Sequence, residues 1–354
     1  NRDYPDSGLS QFGIIPIAQG PWILAAVLLG AALSSRFNGF FLCLLYEAGL
    51  LLFYGKNLFT RKHFWKAFLP VLSLMFLYVV WPWLWPSPII NFANSVDRGL
   101  EIHTKEYFLG RYAYSPVFYY FVFFLATTPL IILALFFLPV SHILKKTKLS
   151  KTVLFLYLYF LTPYLASFVP LKQDGIRYVQ FSLPAVAILA AFGFDILLKK
   201  VGKTMPRWFG KVVFVVVAVL TISIPIRFYP YYLDYFNGLF GSLSHIVQTK
   251  TFELGWWGEG SIDAVEKINQ IAKVGDTVFV DFAPGHTLPG FIDGVKSIKL
   301  WQGRPTFILV NLFAVWYGDA SNTIAYAKEN GYKLVYQVKI ANEVPIVWVY
   351  EATK

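Results

Sequence analysis

The sequence predicts a polytopic α-helical membrane protein with a small C-terminal extracytoplasmic α/β domain. Three observations carry that expectation. Apolar runs, several of them near the roughly 20 residues a spanning helix needs, succeed one another up to about residue 229. Charge sits in the gaps between them, and three gaps are purely basic: Lys56, Arg61, Lys62 and Lys66; then Lys145, Lys146, Lys148 and Lys151; then Lys199, Lys200, Lys203, Arg207 and Lys211. Past residue 230 the runs give way to short strand-like and helix-like segments. Composition agrees, with 56% hydrophobic residues in 354 and a mean hydropathy of +0.54, more apolar surface than a soluble domain needs. The net charge of +11 lies largely in the three basic gaps, so it marks membrane orientation rather than nucleic-acid binding.

Residues 1–21 are mixed and poorly periodic, with Pro5, Gly8, Pro16 and Gly20. The chain starts at Asn1 without an initiator Met, and the simplest expectation is that an N-terminal part of a larger protein precedes it. Spans are expected at 22–34, 38–54, 67–85, 116–144, 152–170, 178–198 and 212–229. The first two, separated by Ser34-Ser35-Arg36-Phe37-Asn38-Gly39, read either as two spans with a tight turn or as one long kinked run. Short Lys/Arg-rich loops stay in the cytoplasm. The 34–39 turn, the 86–115 loop, the 171–177 loop and everything after 230 then lie outside, a plan consistent with a multi-pass plasma-membrane protein of seven crossings. Trp81-Pro82-Trp83-Leu84-Trp85-Pro86 cannot be regular helix, because proline removes a donor and clashes with the preceding turn.

The domain plan is therefore 1–229 transmembrane, 230–260 a juxtamembrane segment rich in aromatics and glycine, and 261–354 an α/β domain. Within the last, 261–273 is a helix with Ser261 as N-cap, Asp263 in the first turn and Gly275 past its end. Thr277–Phe282 and Thr306–Leu312 read as buried strands, and Ser321–Asn330 as a helix stopped by Gly331. Lys333–Ile340 and Val344–Tyr350 alternate as a hairpin around Ala341-Asn342-Glu343.

Few residues suggest chemistry by themselves. Cys43, the single cysteine, excludes an intramolecular disulfide and reads as packing. His63, His103, His142, His245 and His286 lack metal-ligand spacing, and no nucleophile–base pair or phosphate loop stands out. Asp97, Glu101, His103 and Glu106 lie in the 86–115 loop, where a solvated face is the plain reading. Glu259, between two glycines after Trp256-Trp257, is placed to cap the following helix. The two tryptophans suit the membrane interface. Glu47 lies mid-span, where an acid is costly and functional by default, and polar packing is its equal alternative. Asp195 stands four residues before Lys199, the spacing of a helical ion pair. Asp174 is expected to pair with Lys172 or Arg177.

Tyr229-Pro230-Tyr231-Tyr232-Leu233-Asp234-Tyr235-Phe236-Asn237, followed by Gly255-Trp256-Trp257-Gly258-Glu259-Gly260, resembles the polyprenyl-phosphate-sugar-dependent glycosyltransferases of the GT-C superfamily. The branch it is most similar to is the dolichyl-phosphate-mannose-protein mannosyltransferase-like proteins, glycosyltransferase family 39. Gly30 to Gly39, Gly110-Arg111 through Ser115-Pro116-Val117-Phe118-Tyr119-Tyr120 to Thr128-Pro129, and Arg177-Tyr178-Val179-Gln180-Phe181-Ser182-Leu183-Pro184-Ala185 resemble the same family. The likeness covers most of the chain to about residue 265. It implies a GT-C-like helical bundle that transfers a mannose-like hexose from a polyprenyl or dolichyl phosphate to a protein, lipid or glycan acceptor on the outer face. It implies the bilayer and the lipid-linked sugar as partners, names no cofactor beyond that donor while leaving a metal requirement open, and gives Asp97, Glu101, His103, Glu106 and Glu259, with Trp256 and Trp257, sugar or acceptor contact as an alternative role. The leaving group is an anionic lipid phosphate, which fixed cations stabilise. Arg36, Lys172 and Arg177, at the outer surface on this topology, are the expected phosphate ligands, or else ordinary snorkelling residues. The family's catalytic acid is expected in a first external loop that no stretch here matches, so it is expected to precede Asn1. A transporter or flippase of lipid-linked glycan precursors is the alternative; it calls for paired repeats or broken helices, which the sequence does not display.

Overall fold

A computed structural model describes residues 22–35, 39–60, 63–100, 105–140, 150–166, 175–203, 205–255, 257–281, 290–318 and 320–353. The chain divides into two compact units, one drawn from 1–103, 117–121 and 135–194, the other from 104–116, 122–134 and 195–354.

The first unit begins with α1 (Trp22–Ser35), α2 (Phe40–Tyr54) and α3 (Leu69–Val80). All three are apolar throughout, so burial is decided by which face meets a neighbour. Gly30 of α1 lies so close to α3 that a Cβ there would come within 2.8 Å of the Ser73 carbonyl and 2.7 Å of the Phe76 ring. Small residues that let backbones approach are a common basis for helix association where lipid gives no hydrophobic drive. Leu33, Leu77 and Leu84 form a buried cluster with Phe40, Cys43, Trp81 and Phe92 around it. Cys43 is thus a packing residue.

The 86–115 stretch, expected as a loop, contains the helix α4 (Pro88–Leu100) and a hairpin of β1 (Glu106–Phe108) and β2 (Arg111–Ala113). The Pro82 segment is a single 3-10 turn, as proline requires, but Asn91 Nδ2 and Trp85 Nε1 donate to the Trp83 and Tyr78 carbonyls and lead into α4. Phe92 meets Phe40 edge-on at 5.5 Å, while Ile89 and Ile90 stay exposed. Its polar face is what made α4 read as loop.

The span expected at 116–144 is broken. α5 (Tyr119–Thr127) and α6 (Leu130–Phe137) meet at 116° across Thr128-Pro129. Then come α7 (Lys151–Ala166), α8 (Leu183–Val201) and α9 (Arg207–Phe228). Phe40–Phe59, Gln180–Val201 and Trp208–Phe228 are long and apolar enough to cross a membrane, or four spans if the bent pair counts as one. Leu24–Ser35, Phe64–Val80 and Lys151–Leu165 are apolar but shorter, so among the described residues length alone does not give seven crossings. The expected Asp195–Lys199 ion pair is present at 2.7 Å on an exposed face.

The second unit holds a five-stranded sheet. After α10 (Leu243–Thr249) and α11 (Ser261–Ile271) come β3 (Thr277–Asp281), β4 (Lys296–Ser297), β5 (Phe307–Asn311), α12 (Leu312–Tyr317), α13 (Ala320–Glu329), β6 (Tyr332–Ile340) and β7 (Val344–Ala352). The order is β4-β3-β5-β7-β6, parallel among the first three and antiparallel for β7 against β5 and β6. β5 is central and buried along its whole length, which explains its unbroken apolar run. Ile308, Val310, Ala314, Ala327, Tyr332 and Tyr350 form the core beneath it. The strands and helices expected here all occur, with ends shifted by one or two residues. The N-cap is the correction: Gly260 occupies it without a side-chain bond, and the Ser261 hydroxyl is buried inside the first turn.

Gly193 of α8 gives one direct test of helix packing in the first unit. A Cβ there would sit 1.9 Å from the Leu135 carbonyl oxygen, a backbone atom that cannot yield cheaply. Gly193→Ala is expected to destabilise the protein by about 1–3 kcal/mol or more, read as a fall in the thermal unfolding midpoint in detergent. An unchanged midpoint contradicts the packing.

Candidate functional site

The chain leaves α9 at Phe228 and makes a tight 3-10 turn over Tyr232–Asp234. The turn drives Asp234 into the interior, with no exposed surface. Asp234 Oδ1 accepts the Gly255 N–H at 2.8 Å. That bond joins the Tyr229–Asn237 segment to the Gly255–Gly260 segment. Gly255 at φ 66° and Gly260 at φ 78° are in the left-handed region that side chains resist. A Cβ on Gly260 would also come within 2.8 Å of Val338. The glycines therefore turn the loop tightly enough to bring Glu259 back towards Asp234.

Glu259 Oε2 accepts the Trp257 N–H at 3.0 Å. The carboxylate is folded onto its own loop, so neither Glu259 nor Ser261 acts as the side-chain N-cap of α11. Asp234 Oδ2 and Glu259 Oε1 are buried with no hydrogen-bond partner. Burial pushes the Asp234 carboxyl well above its ordinary range, and the charge of Glu259 pushes it further, against the Gly255 N–H. Burial likewise raises Glu259, against the N–H groups of Glu259 itself and Trp257. Like charges in a poorly solvated place do not both ionise readily, so each carboxyl keeps its proton to higher pH than it would in water. Beside it, the Tyr231 hydroxyl donates to Asp263 Oδ2 in the first turn of α11, and burial followed by that bond raises the phenol.

Asn237, at the end of the same motif, is buried and meets the break between α5 and α6. Pro129 has no N–H, so the Leu125 carbonyl loses its helical donor. Asn237 Nδ2 supplies one at 2.6 Å and also donates to the Thr128 carbonyl at 2.7 Å. Its backbone N–H donates to the Ala126 carbonyl at 2.7 Å, and its Oδ1 accepts the Leu239 N–H at 2.9 Å.

The residues expected from sequence fare unequally. Arg36, Lys172, Glu101 and His103 lie outside the described residues, as do Asp174 and Trp256. Arg177 belongs to the first unit, half-buried in the turn before Gln180. Its guanidinium lies 5.1 Å from the Tyr178 ring centre, and Nη2 donates to the Tyr178 hydroxyl at 3.2 Å. Asp97 is exposed on α4 in the same unit. Glu106 accepts from the Ser115 hydroxyl and is tied to its own hairpin. Glu47 is half-buried on α2, with Oε1 lacking a hydrogen-bond partner. Among the expected residues that the structure describes, Glu259 is the one that joins the buried site. Asp234 and Asn237 had no role assigned from sequence, although both stand in the motif. An acid and an amide spaced by aromatics after a long apolar helix are the signal that was there to be read. Among the described residues no group of three or more His, Cys, Asp or Glu side chains is arranged to hold a metal ion. No family model, curated protein or solved structure matches the chain.

The proton on the acid pair has a sign. A carboxyl whose native pKa is raised holds its proton more tightly folded than unfolded, so stability falls as pH climbs from about 4, the unfolded value, towards the raised native values of Asp234 and Glu259. The wild type should therefore melt at lower temperature at pH 8 than at pH 5.5. Asp234→Asn, which cannot ionise, should flatten that difference; an equally steep profile contradicts the raised carboxyl at Asp234. Asn237→Ala should cost about 2–4 kcal/mol by stranding two carbonyls. Asn237→Asp keeps the acceptor but not the donor and should melt nearly as low, checked by thermal unfolding in detergent.

Proposed function

We propose that this chain is a membrane glycosyltransferase with a small α/β domain outside the cytoplasm. It moves a sugar, a mannose-like hexose or a relative, from a polyprenyl-phosphate donor to a protein, lipid or glycan acceptor outside the cytoplasm. The observation that carries the reading is the convergence of Tyr229–Asn237 and Gly255–Gly260. These are the two stretches with the strongest resemblance to the GT-C enzymes, and they meet in one buried, protonatable pair, Asp234 and Glu259. Trp208–Phe228 supports the membrane part: it is a 21-residue apolar helix with none of its most apolar window buried within the chain, and hydrocarbon is the solvent such a surface suits. In this reading Arg177, stacked on Tyr178, meets the donor phosphate at the outer end of the Gln180–Val201 span. Arg36 and Lys172 are the accompanying cations, and Asp97, Glu101, His103 and Glu259 are candidates for sugar or acceptor contact. The catalytic base is not assigned to any residue of this sequence.

One observation favours a second reading. The α5–α6 pair is a broken apolar helix, the kind of element that builds substrate sites in lipid and solute transporters. A flippase of lipid-linked glycan precursors would use it to pass a headgroup.

Full-length protein in nanodiscs, given a radiolabelled polyprenyl-phosphate sugar, is expected to transfer or hydrolyse the sugar. Arg177→Ala should lower the turnover rate by about 100-fold, the scale of losing one preorganised charge partner, and leave folding intact. Absence of donor turnover together with vectorial lipid movement in vesicles would overturn the transferase reading in favour of the flippase.

A further inference from the structure

The last turn of α8 and the first turns of α9 enclose a groove of about 630 Å³ within the second unit. Leu198, Pro206, Phe214 and Val215 make its apolar wall, and Gly202 and Gly210 contribute no side chain to fill it. Lys211 is the one charged lining residue. The turn is held by bonds from the Gly202 N–H to the Leu198 carbonyl and from the Met205 N–H to the Val201 carbonyl, both at 2.8 Å. Lys199, Lys200 and Lys203, in the same end of α8 and the turn after it, are exposed. From residue 195 to 228 the sequence has a single acid, Asp195, and Lys199 neutralises it at 2.7 Å. Lys200, Lys203 and Lys211 thus have no acid in that stretch to balance them, and Lys211 brings that charge to the groove itself. Trp208 and Met205 project beside it, 62% and 48% exposed.

We propose that this groove binds one anionic phospholipid of the bilayer, with an acyl chain along the Leu198–Phe214 wall and the phosphate at Lys211, helped by Lys203 next in the chain to the lining Gly202. Charge complementarity selects the occupant. A soluble anion would satisfy the lysines and leave the apolar wall bare, and a zwitterionic lipid would cover the wall and leave the positive field unbalanced. Basic pockets between helices on the cytoplasmic side are suited to anionic headgroups, and the purely basic gap puts this end of α8 and α9 on that side. The exposed tryptophan has the interfacial character such a position favours. The inference rests on the membrane part of the proposed function and is independent of its transferase part.

Native mass spectrometry of the full-length protein in detergent, titrated with phosphatidylglycerol or phosphatidylcholine of matched chains, tests it. A one-to-one phosphatidylglycerol adduct is expected, held about 30-fold more tightly than phosphatidylcholine. Lys203→Gln with Lys211→Gln, both exposed and so neutral to folding, should remove most of that preference, at about fivefold per lysine. Gly210→Leu fills the groove, since a Cβ there meets only the Leu198 side chain at an ordinary 3.6 Å, and should weaken both lipids. Equal retention of the two lipids by wild type, an unchanged preference in the double lysine variant, or displacement by inorganic phosphate would each overturn the site. Recovery of the protein from cells without detergent would overturn it together with the membrane reading, whereas absence of sugar transfer would leave it standing.

Discussion

A proline inside an apolar helix leaves a carbonyl that needs a donor, and much of the second unit is arranged around that need. Pro129 cannot bond the Leu125 carbonyl, and α5 and α6 part at 116°. The missing donor comes from Asn237 Nδ2, far along the chain, which bridges the Leu125 and Thr128 carbonyls. Unsatisfied backbone groups cost several kcal/mol where water is scarce, so the amide and the break belong together. Phe123 of α5, Phe236 beside Asn237, and Phe252 then stack into one aromatic cluster with Phe108 of the hairpin. The bond sets position and the rings add burial.

The same short segment carries the acid. Between Phe228 and Asn237 the chain must turn out of a long helix, bury Asp234 and deliver Asn237 to the helix break. Burying a carboxyl is costly unless it is bonded or protonated. The Gly255 N–H offsets part of that cost, and the remainder shows as the raised carboxyls of Asp234 and Glu259. The glycines of Gly255–Gly260 follow from geometry, because only a left-handed loop returns Glu259 to its neighbour while leaving Val338 room. Two buried carboxyls whose ionisation burial opposes, next to the Tyr231–Asp263 bond, are costly to keep in a fold.

Legibility varied with the range of the forces involved. The β6–β7 hairpin, the buried β5 strand and α11 were readable because alternation, an unbroken apolar run and a 3.6-residue period are local patterns. α4 was missed because its polar face, following a proline-rich turn, resembles loop, and only Phe92 against Phe40 reveals the buried side. The break at Pro129 was missed because apolar composition continues straight across it, and hydropathy does not register a lost donor. Cap chemistry misled at Ser261, where packing buried the hydroxyl and left Gly260 at the N-cap.

The sequence by itself determined that the chain is largely helical and apolar, that three of its gaps are basic, and that a small mixed sheet follows residue 261. These properties sum residue preferences over short windows and need no distant partner. Only the tertiary structure decided that Asp234 and Glu259 share one buried site, that Asn237 answers Pro129, and that two glycines open a groove beside Lys211. Each depends on which groups lose their water together, and that is a property of how segments far apart in the chain meet.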